Sequence, residues 1–280
     1  MELCILIINY NSTNYTVDLI ENLKKSNYKK FYILVFDNNS KEDLSKLEKL
    51  KEIRLIKNDK NLGLTGGVNK ALKSVNSKYV LLLNPDIQID ENCVSELLSL
   101  IKKDEKIAFV GGAIYNFNNK NKVNAFGGRM NFITGIARPL INENKIRELK
   151  YKEYTDACVL MFNREIFQKL GGYDERYFMY AETEDIIFKA MKKGFKVLIN
   201  PKAKVWHKVY GSSGNKKSKF SVYYLTRNRF LLMKKFNSNY YALFLFVNLI
   251  FILPLQFLLF LYRRQFNLIP AFFKGFMDGV

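Results

Sequence analysis

A group of side chains that could move a proton lies in the stretch YAETEDII, where Glu182, Glu184 and Asp185 stand close together. A carboxylate can act as a general base and take the proton from an attacking hydroxyl group. The same acids could instead favour a helix start, because negative charge in the first turn interacts with the helix dipole by about 0.3–1 kcal/mol. Thr183 would then serve as the N-cap. The residue types alone leave both alternatives open.

Further polar side chains stand where apolar runs end, in the stretches NYNS, DNNS and NPDIQ. Each follows a run typical of a strand that is buried on both faces. Ligands of open parallel sheets bind at the carboxyl ends of the strands, so we expect these three loops to line one crevice. Asn and Asp are also ordinary turn residues, which is the alternative for each loop taken alone.

The elements that must position these residues alternate between strands and helices. Apolar residues at helical spacing follow the first two runs, in the stretches STNYTVDLIENL and EDLSKLEKL. This alternation predicts an α/β fold with a mostly parallel sheet and helices on both faces. Residues 114–155 interrupt the alternation with an Asn-rich stretch. A connection of that length indicates either a functional loop over the crevice or a small hairpin insertion.

Charge and cysteine content narrow the classes of function. Forty-five Lys and Arg residues against 26 Asp and Glu give a formal net charge of +19, which favours an anionic partner. The basic residues are spread over helix-like segments without a compact basic arm or finger spacing, so we expect no nucleic-acid partner. Cys4, Cys93 and Cys158 lie in apolar sequence and are predicted to be buried thiols in a reducing compartment. The N-terminus has no basic leader, so the catalytic part is expected in the cytosol.

Residues 240–262 contain no charged side chain and are bracketed by Lys234–Lys235 and Arg263–Arg264. A helix of this length would cross a bilayer at about 1.5 Å per residue. Asn248 and Pro254 add polarity and a kink. A membrane span, a re-entrant or interfacial helix and a buried protein interface are therefore alternatives. Acidic lipid at the cytoplasmic face of the cell membrane would attract the basic residues.

Seven motifs follow one another between residue 3 and about residue 236. In chain order they read ILIINYNS, VFDNNS, NLGLTGGVNKAL, LLLNPDIQI, GGYDERYFMYAETEDI, VWHKVYGSSG and YYLTRNRFLLMKKF. Together they resemble the inverting family-2 glycosyltransferases, in particular the rhamnosyltransferase-like branch. The resemblance implies a Rossmann-like GT-A domain over residues 1–236, a nucleoside-diphosphate sugar as donor and a divalent metal ion. Residues 237–280 would form a hydrophobic, membrane-associated C-terminal segment.

The resemblance also implies which residues bind the donor. Asp37 matches the family's nucleotide contact, where a carboxylate can accept hydrogen bonds from the base or the ribose. Capping of the next helix is the alternative for Asp37. Asn9 and Asn11 match a strand-end loop that lies along the nucleotide. Gly67 and Asn69 match the segment that borders the nucleotide, where glycine allows close backbone approach.

The stretch NPDIQ occupies the place of the family's metal-binding DXD motif. Asn84 stands at the first acid of that motif, which leaves Asp86 as the main ligand for Mg²⁺ or Mn²⁺. His207, the single histidine, matches a metal or diphosphate contact, with a structural role as the alternative. Arg227 matches a segment that could face the diphosphate or an acidic lipid carrier, or else belong to an amphipathic surface helix.

At the acid cluster the family usually reads E-D-x-D. Counted back from Gly194, the expected end of the helix, Thr183 stands where the usual base aspartate is expected. A threonine hydroxyl is far too weak a base near neutral pH. Glu182 is therefore the first candidate for the general base and Asp185 the second, while Glu184 is expected to project differently.

The predicted function is inverting transfer of a sugar from dTDP-rhamnose or a UDP-sugar to a hydroxyl group of a cell-surface glycan or lipid-linked acceptor. Thymine and uracil share the ring edge that Asp37 would contact, so the sequence leaves the nucleotide open. Thr183 and Asn84 favour one alternative, a nucleotide-sugar-binding subunit or weakly active pseudoenzyme that recruits a partner to the membrane.

Overall fold

Strands and helices alternate along the chain in a computed structural model that describes residues 1–141, 145–208 and 218–280. Part of the motif VWHKVYGSSG lies outside the described residues.

The strands are β1 (Leu3–Asn9), β2 (Phe31–Asp37), β3 (Ile53–Lys57), β4 (Tyr79–Leu83), β5 (Ile87–Ile89), β6 (Ile107–Asn116), β7 (Val123–Ala125), β8 (Gly128–Met130), β9 (Ala137–Pro139), β10 (Arg147–Glu148), β11 (Glu153–Tyr154), β12 (Val159–Asn163) and β13 (Lys196–His207). The α-helices are α1 (Thr13–Leu23), α2 (Ser45–Glu48), α3 (Gly63–Leu72), α4 (Cys93–Ile101), α5 (Arg164–Lys169), α6 (Glu182–Lys192), α7 (Lys219–Phe236), α8 (Tyr241–Val247), α9 (Leu253–Tyr262) and α10 (Ile269–Gly279).

The main sheet follows the order β10-β13-β6-β12-β4-β1-β2-β3, with β5 paired to β13 and β7 paired to β6. The pairs β1–β2, β1–β4, β2–β3 and β6–β13 are parallel, which confirms the predicted sheet. Strand β12 runs antiparallel between β4 and β6, a reversal that simple alternation does not predict. The beginning of β12 therefore lies beside the end of β4, where the backbone N–H of Asn84 donates to Cys158 O at 3.1 Å.

Both faces of the sheet are covered by helices, as predicted. In β1, Cys4, Leu6 and Ile8 face the core formed with α3, α5, α6 and α7. The alternate residues of β1 face the core formed with α1, α2 and α4. Full burial of an aliphatic side chain contributes about 1.5–3 kcal/mol, which explains why the runs are apolar throughout. The three cysteines are free and buried, and burial raises the pKa of the Cys4 thiol to about 12.

Three segments add detail to the sequence analysis. Helix α2 is only one turn long, with Leu47 fully buried and Leu44 and Leu50 half-buried. Within residues 114–155, short antiparallel strands form a hairpin insertion: β8, β9 and β11 make a small separate sheet of order β11-β8-β9, while β7 and β10 pair with the main sheet. Strand β13 continues past the predicted run FKVLIN, and a register shift between Asn200 and Lys204 lets it extend to the level of β5.

The C-terminal apolar stretch forms a helix over Ser238–Tyr262, long enough to cross a membrane, with only 22% of its most apolar window buried. The membrane span, the re-entrant or interfacial helix and the buried interface therefore stay alternative predictions. A π-helical turn occupies Asn248–Ile252, just before Pro254. The buried Asn248 amide donates to Phe244 O at 2.9 Å and to Thr134 O at 3.3 Å. Helix α10 then packs on α7. The proposed division between residues 236 and 237 stays a prediction.

Candidate active site

A buried polar network surrounds Asp37 at the carboxyl ends of β1 and β2. Asp37 Oδ1 accepts hydrogen bonds from Asn9 Nδ2 at 2.8 Å and from Ser40 Oγ at 2.5 Å. Asn11 ties the two loops together, because its Oδ1 accepts from the Lys41 backbone N–H at 2.8 Å. Asp37 lies well before the first turn of α2 and does not cap it. The structure thus brings Asn9, Asn11 and Asp37 to one rim, and their contact with a nucleotide stays a prediction.

Gly67 and Asn69 both lie on α3, in contacts that pack this helix against its neighbours. A Cβ at Gly67 would lie 3.3 Å from a methyl group of Ile8 and 3.4 Å from Asn38 Nδ2. Asn69 Nδ2 donates to Tyr173 O at 2.8 Å, and Asn69 Oδ1 accepts from the Tyr173 backbone N–H at 3.0 Å. These hydrogen bonds account for Asn69 without a ligand. The nucleotide contacts of both residues stay predictions.

Asp86 and His207 are 121 positions apart in the chain, yet Asp86 Oδ1 lies 3.2 Å from His207 Nε2. Burial opposes protonation of His207, but hydrogen bonding and charge from Asp86, together with the charge of Asp156, outweigh it and raise the pKa of His207 above its usual value. Asn84 stands at the same turn, partly buried. A carboxylate and an imidazole are suitable donors for Mn²⁺. The described residues contain no group of three or more His, Cys, Asp or Glu that could hold a metal ion.

Asp156 is an acid of this crevice that the sequence analysis did not single out. Its exposed carboxylate accepts from the Cys158 backbone N–H at 3.0 Å. Gly111 makes room for the chain that leads to Asp156, because a Cβ there would lie 1.7 Å from Thr155 Oγ1. The available sequence signal was an acid directly before the buried run ACVLMF. Asp156 lies at the same edge of the sheet as Asp86 because β12 runs antiparallel to β4.

Glu182 and Glu184 begin α6 beside Asp156. Burial raises the pKa of Glu182 to about 7, with a further upward contribution from the charge of Asp156. Burial, followed by the charge of Glu182, raises the pKa of the partly buried Glu184 to about 8. A pKa close to the working pH suits a general base. The structure therefore places Glu184 with Glu182 and Asp156, although the sequence analysis expected its side chain to project away from the other acids.

Asp185 is enclosed by cations instead. It is fully buried, and its Oδ1 lies 2.6 Å from Lys235 Nζ and 3.1 Å from the Tyr177 hydroxyl that donates to it. Asp185 Oδ2 lies 3.1 Å from Lys189 Nζ. A carboxylate held by two lysines is closed to a substrate hydroxyl group. The role of Asp185 as second candidate base stays a prediction, which this geometry disfavours.

The acids follow a segment of strained backbone that α7 holds in place. Phe178, Tyr180 and Ala181 have φ angles of +62°, +70° and +66°, a region that costs a non-glycine residue about 1–3 kcal/mol. Asn228, on α7, is fully buried and compensates for this strain. Its Nδ2 lies 2.9 Å from Tyr177 O, 2.8 Å from Met179 O and 2.8 Å from Tyr180 O, so its two hydrogens are shared among three carbonyl oxygens.

Arg227 contacts the same segment. Its guanidinium group donates to Arg176 O and to Tyr177 O at 3.3 Å, and it lies 4.8 Å from the centre of the Tyr224 ring. These contacts give Arg227 a structural role next to Asn228. Its predicted contact with a diphosphate or an acidic lipid stays a prediction.

Solved structures with this arrangement of strands and helices define the fold. The mannosyltransferase PcManGT from Pyrobaculum calidifontis, in complex with GDP-Man and Mn²⁺, aligns with 99% of this chain and 86% of its own at a TM-score of 0.62 and 13% identity. GalNAc-T7 with UDP, GalNAc and Mn²⁺ aligns with 84% of this chain at a TM-score of 0.66 and 17% identity, and the aligned region spans 48% of that structure. The fold is therefore GT-A, as predicted.

The chain belongs to glycosyl transferase family 2, whose sequence model matches residues 4–171. It is 25% identical over 236 residues to the low-salt glycan biosynthesis hexosyltransferase Agl10 of Haloferax volcanii, covering 82% of this chain and 75% of the relative. It is 22% identical over 237 residues to the N-acetylglucosaminyl-diphospho-decaprenol L-rhamnosyltransferase of Mycobacterium tuberculosis, covering 75% and 77%. The rhamnosyltransferase WbbL of Escherichia coli is 24% identical over 193 residues, covering 61% and 70%. The family and its rhamnosyltransferase-like branch are confirmed, and the protein is a glycosyltransferase of glycan or lipid-linked biosynthesis.

Replacement of Asn228 by Leu is expected to release the strained segment. Leucine is similar in volume but donates no hydrogen bond, and each buried carbonyl left unsatisfied costs about 1–3 kcal/mol. We expect a lower melting temperature by calorimetry and a loss of sugar transfer per folded molecule. Asn163→Leu is the matched control, because it removes the N-cap of α5 and should lower stability without affecting transfer. Equal transfer by both variants would contradict the role of Asn228.

Replacement of Glu184 by Gln should flatten the pH dependence of stability. The pKa of about 8 in the folded protein lies above the unfolded value of about 4.3, so the folded state binds more protons between these values. The stability of the wild type therefore falls as pH rises from about 5 to 8. Glu184→Gln removes this contribution, and its melting temperature should rise relative to wild type across the window. The exposed Glu105→Gln should keep the wild-type slope, and parallel curves for Glu184→Gln would contradict the assignment.

Proposed function

We propose that the protein transfers a sugar, with inversion, from dTDP-rhamnose or a UDP-sugar to a hydroxyl group of a cell-surface glycan or lipid-linked acceptor. The observation that carries this proposal is the assembly, at one edge of the sheet, of the Asp37 rim, the Asp86–His207 pair and the acids at the start of α6. The rhamnosyltransferase names of two relatives support the donor class.

The proposed reaction is one displacement. The acceptor oxygen attacks the anomeric carbon on the face opposite the diphosphate, and the new C–O bond forms as the bond to the diphosphate breaks. The hydroxyl proton passes to a carboxylate at the start of α6. We assign this proton to Glu184, because it is partly exposed beside Asp156 whereas Glu182 is only 4% exposed. Glu182 is then a positioning residue that helps to raise the pKa of Glu184.

A divalent metal ion fits the Asp86–His207 pair when the donor supplies further oxygen ligands. Asp86 and His207 would hold Mg²⁺ or Mn²⁺, and the ion would neutralise charge on the leaving diphosphate. The donor set of one carboxylate and one imidazole suits Mn²⁺. Both GT-A structures described above contain Mn²⁺, which supports the proposal. Asn84 leaves this site with one protein charge fewer than two acids would provide.

We also propose that the catalytic part acts at the cytoplasmic face of the cell membrane. The helix over Ser238–Tyr262 is apolar and largely exposed, and the net charge of +19 favours an acidic leaflet. A lipid-linked acceptor would be presented at the same surface. The decaprenol-linked substrate in the name of the mycobacterial relative supports this arrangement.

Removal of the proposed metal ligand Asp86 tests whether sugar transfer depends on a metal ion at this site. Asp86→Ala is expected to abolish the stimulation of donor turnover by Mn²⁺. Turnover itself should fall by about 10²-fold or more, because several kcal/mol of charge stabilisation is lost. Turnover would be measured on a panel of activated sugars with detergent-extracted protein, with and without Mn²⁺. Asp90→Ala, outside the crevice edge, is the control. Unchanged Mn²⁺ dependence in Asp86→Ala would overturn the metal site.

Replacement of single acids should identify the base. Glu184→Gln is expected to lower kcat for sugar transfer by about 10²- to 10⁴-fold with little change in the donor KM, because proton transfer is lost and binding is kept. Glu182→Gln should have a smaller effect on kcat. It should shift the acidic limb of the pH–rate profile to lower pH, because loss of the Glu182 charge lowers the pKa of Glu184. A larger loss in Glu182→Gln than in Glu184→Gln would return the base to Glu182.

Thr183→Asp separates the enzyme from the alternative pseudoenzyme. Aspartate at this position would restore the usual base of the family. A large gain from near-zero activity in Thr183→Asp would support a degenerate, weakly active protein. Loss of an existing activity would support the cluster as it stands in this chain.

A further inference from the structure

A cavity lies between the small sheet β11-β8-β9 and the beginning of the C-terminal apolar helix, and none of the acids of the acid cluster lines it. Its volume is about 610 Å³. Arg129, Arg138 and Lys152 line it from the insertion, while Tyr240 and Leu243 line it from the helix. No part of the proposed sugar-transfer reaction uses these residues.

The insertion side of the cavity carries excess positive charge. Arg129 Nε donates to Glu153 Oε1 at 2.9 Å, and Arg147 donates to both oxygens of the same carboxylate at 2.7 Å. Glu153 is 1% exposed, so one buried carboxylate serves two arginines. Arg138 and Lys152 are exposed and add two further charges. Acidic side chains are missing from the described residues that line the cavity.

The helix side of the cavity continues into an exposed apolar surface. Tyr240 is 64% and Leu243 is 42% exposed. The surface extends along the helix through exposed side chains that include Phe246, Leu249, Ile250, Phe251, Leu255 and Leu258.

The opposite face of this helix is attached to the protein at both ends. Phe244 packs on Phe230 of α7, with ring centres 5.1 Å apart. Phe260 packs on Phe272 of α10, with ring centres 5.5 Å apart, and α10 packs on α7. The helix therefore lies along the catalytic part instead of projecting from it. One side of this helix therefore contacts the protein, and most of its remaining apolar surface is exposed and could contact lipid.

We propose that the cavity binds the phosphate of an anionic phospholipid headgroup, while the exposed face of the helix lies among the acyl chains. The inference rests on the membrane location proposed above and assigns a specific lipid site to it. A phosphate ester on an acyl-chain anchor combines the two properties that the cavity presents, because cations line one wall and the apolar surface begins at the other. An acidic peptide would account for the cations and leave the apolar surface uncovered. An apolar protein partner would leave the exposed charges of Arg138 and Lys152 without a function.

The test removes the two exposed charges of the cavity with Arg138→Gln/Lys152→Gln in the full chain. Binding would be measured by flotation with vesicles of phosphatidylcholine alone and of phosphatidylcholine mixed with phosphatidylglycerol. The wild type should bind the mixed vesicles more tightly, and the variant should lose about 25-fold of this preference, since each basic residue contributes on the order of 1 kcal/mol at an acidic leaflet. Binding to phosphatidylcholine alone should be similar for both proteins.

Two matched variants separate a site from net charge. Lys25→Gln/Lys103→Gln removes two exposed charges at the far ends of α1 and α4 and should keep the preference for phosphatidylglycerol. Arg138→Lys/Lys152→Arg keeps both positive charges and should keep most of the preference for vesicles that contain phosphatidylglycerol. An equal loss in the Lys25/Lys103 variant, or no loss in the Arg138/Lys152 variant, would overturn the proposal.

Two further measurements assign the source of the phosphate and separate the two proposals. Vesicles of phosphatidylcholine with an isoprenoid phosphate provide the competing source, and a response to this lipid without one to phosphatidylglycerol contradicts the phospholipid site. Donor turnover in detergent should be unchanged in Arg138→Gln/Lys152→Gln. Wild-type protein that prefers phosphatidylglycerol but turns over none of the activated sugars contradicts the proposed function and supports the lipid site. Wild-type protein that turns over an activated sugar but shows no lipid preference supports the proposed function and contradicts the lipid site.

Discussion

The contact between α7 and the backbone before α6 is the interaction on which the rest of the site depends. The Asn228 amide shares its two hydrogens among three carbonyl oxygens of a segment that contains three residues with strained, positive φ angles. The ion pair between Lys235 and Asp185 joins the same two helices. Because α7 also supports α10 and α8, the start of α6 and the C-terminal apolar helix share one support. A membrane bound by the helix would therefore be held at a set distance from the acids.

Electrostatics divides the acids at the start of α6 into two groups. Asp185 lies between Lys189 and Lys235, whereas no such cation lies against Glu182 or Glu184 in the described part of the chain, and both glutamates share the field of Asp156. Burial without a cation favours the protonated form of a carboxyl group. Carboxylates within one helical turn thus stand in two different electrostatic environments.

Sequence reasoning predicted the frame of the site well. The runs that become β1, β2 and β4, their polar ends and the covering helices follow from hydrophobic periodicity, and the order of motifs identified the family. The insertion was predicted only as one of two alternatives, because its short strands carry no strong periodicity. Asp156 and the closeness of Glu184 were missed, since both depend on strand direction and on the conformation of the residues before α6.

The sequence by itself determined most of the elements, the family and the motifs that supply the candidate residues. Those properties are local, because apolar spacing, turn residues and motifs are readable within a few positions. The tertiary structure decided which acids meet. The antiparallel insertion of β12 carries Asp156 to the edge that holds Asp86, and a register shift in β13 carries His207 to the same place. Pairings across more than a hundred positions are set by how strands compete for neighbours in one sheet, and no local pattern encodes that outcome.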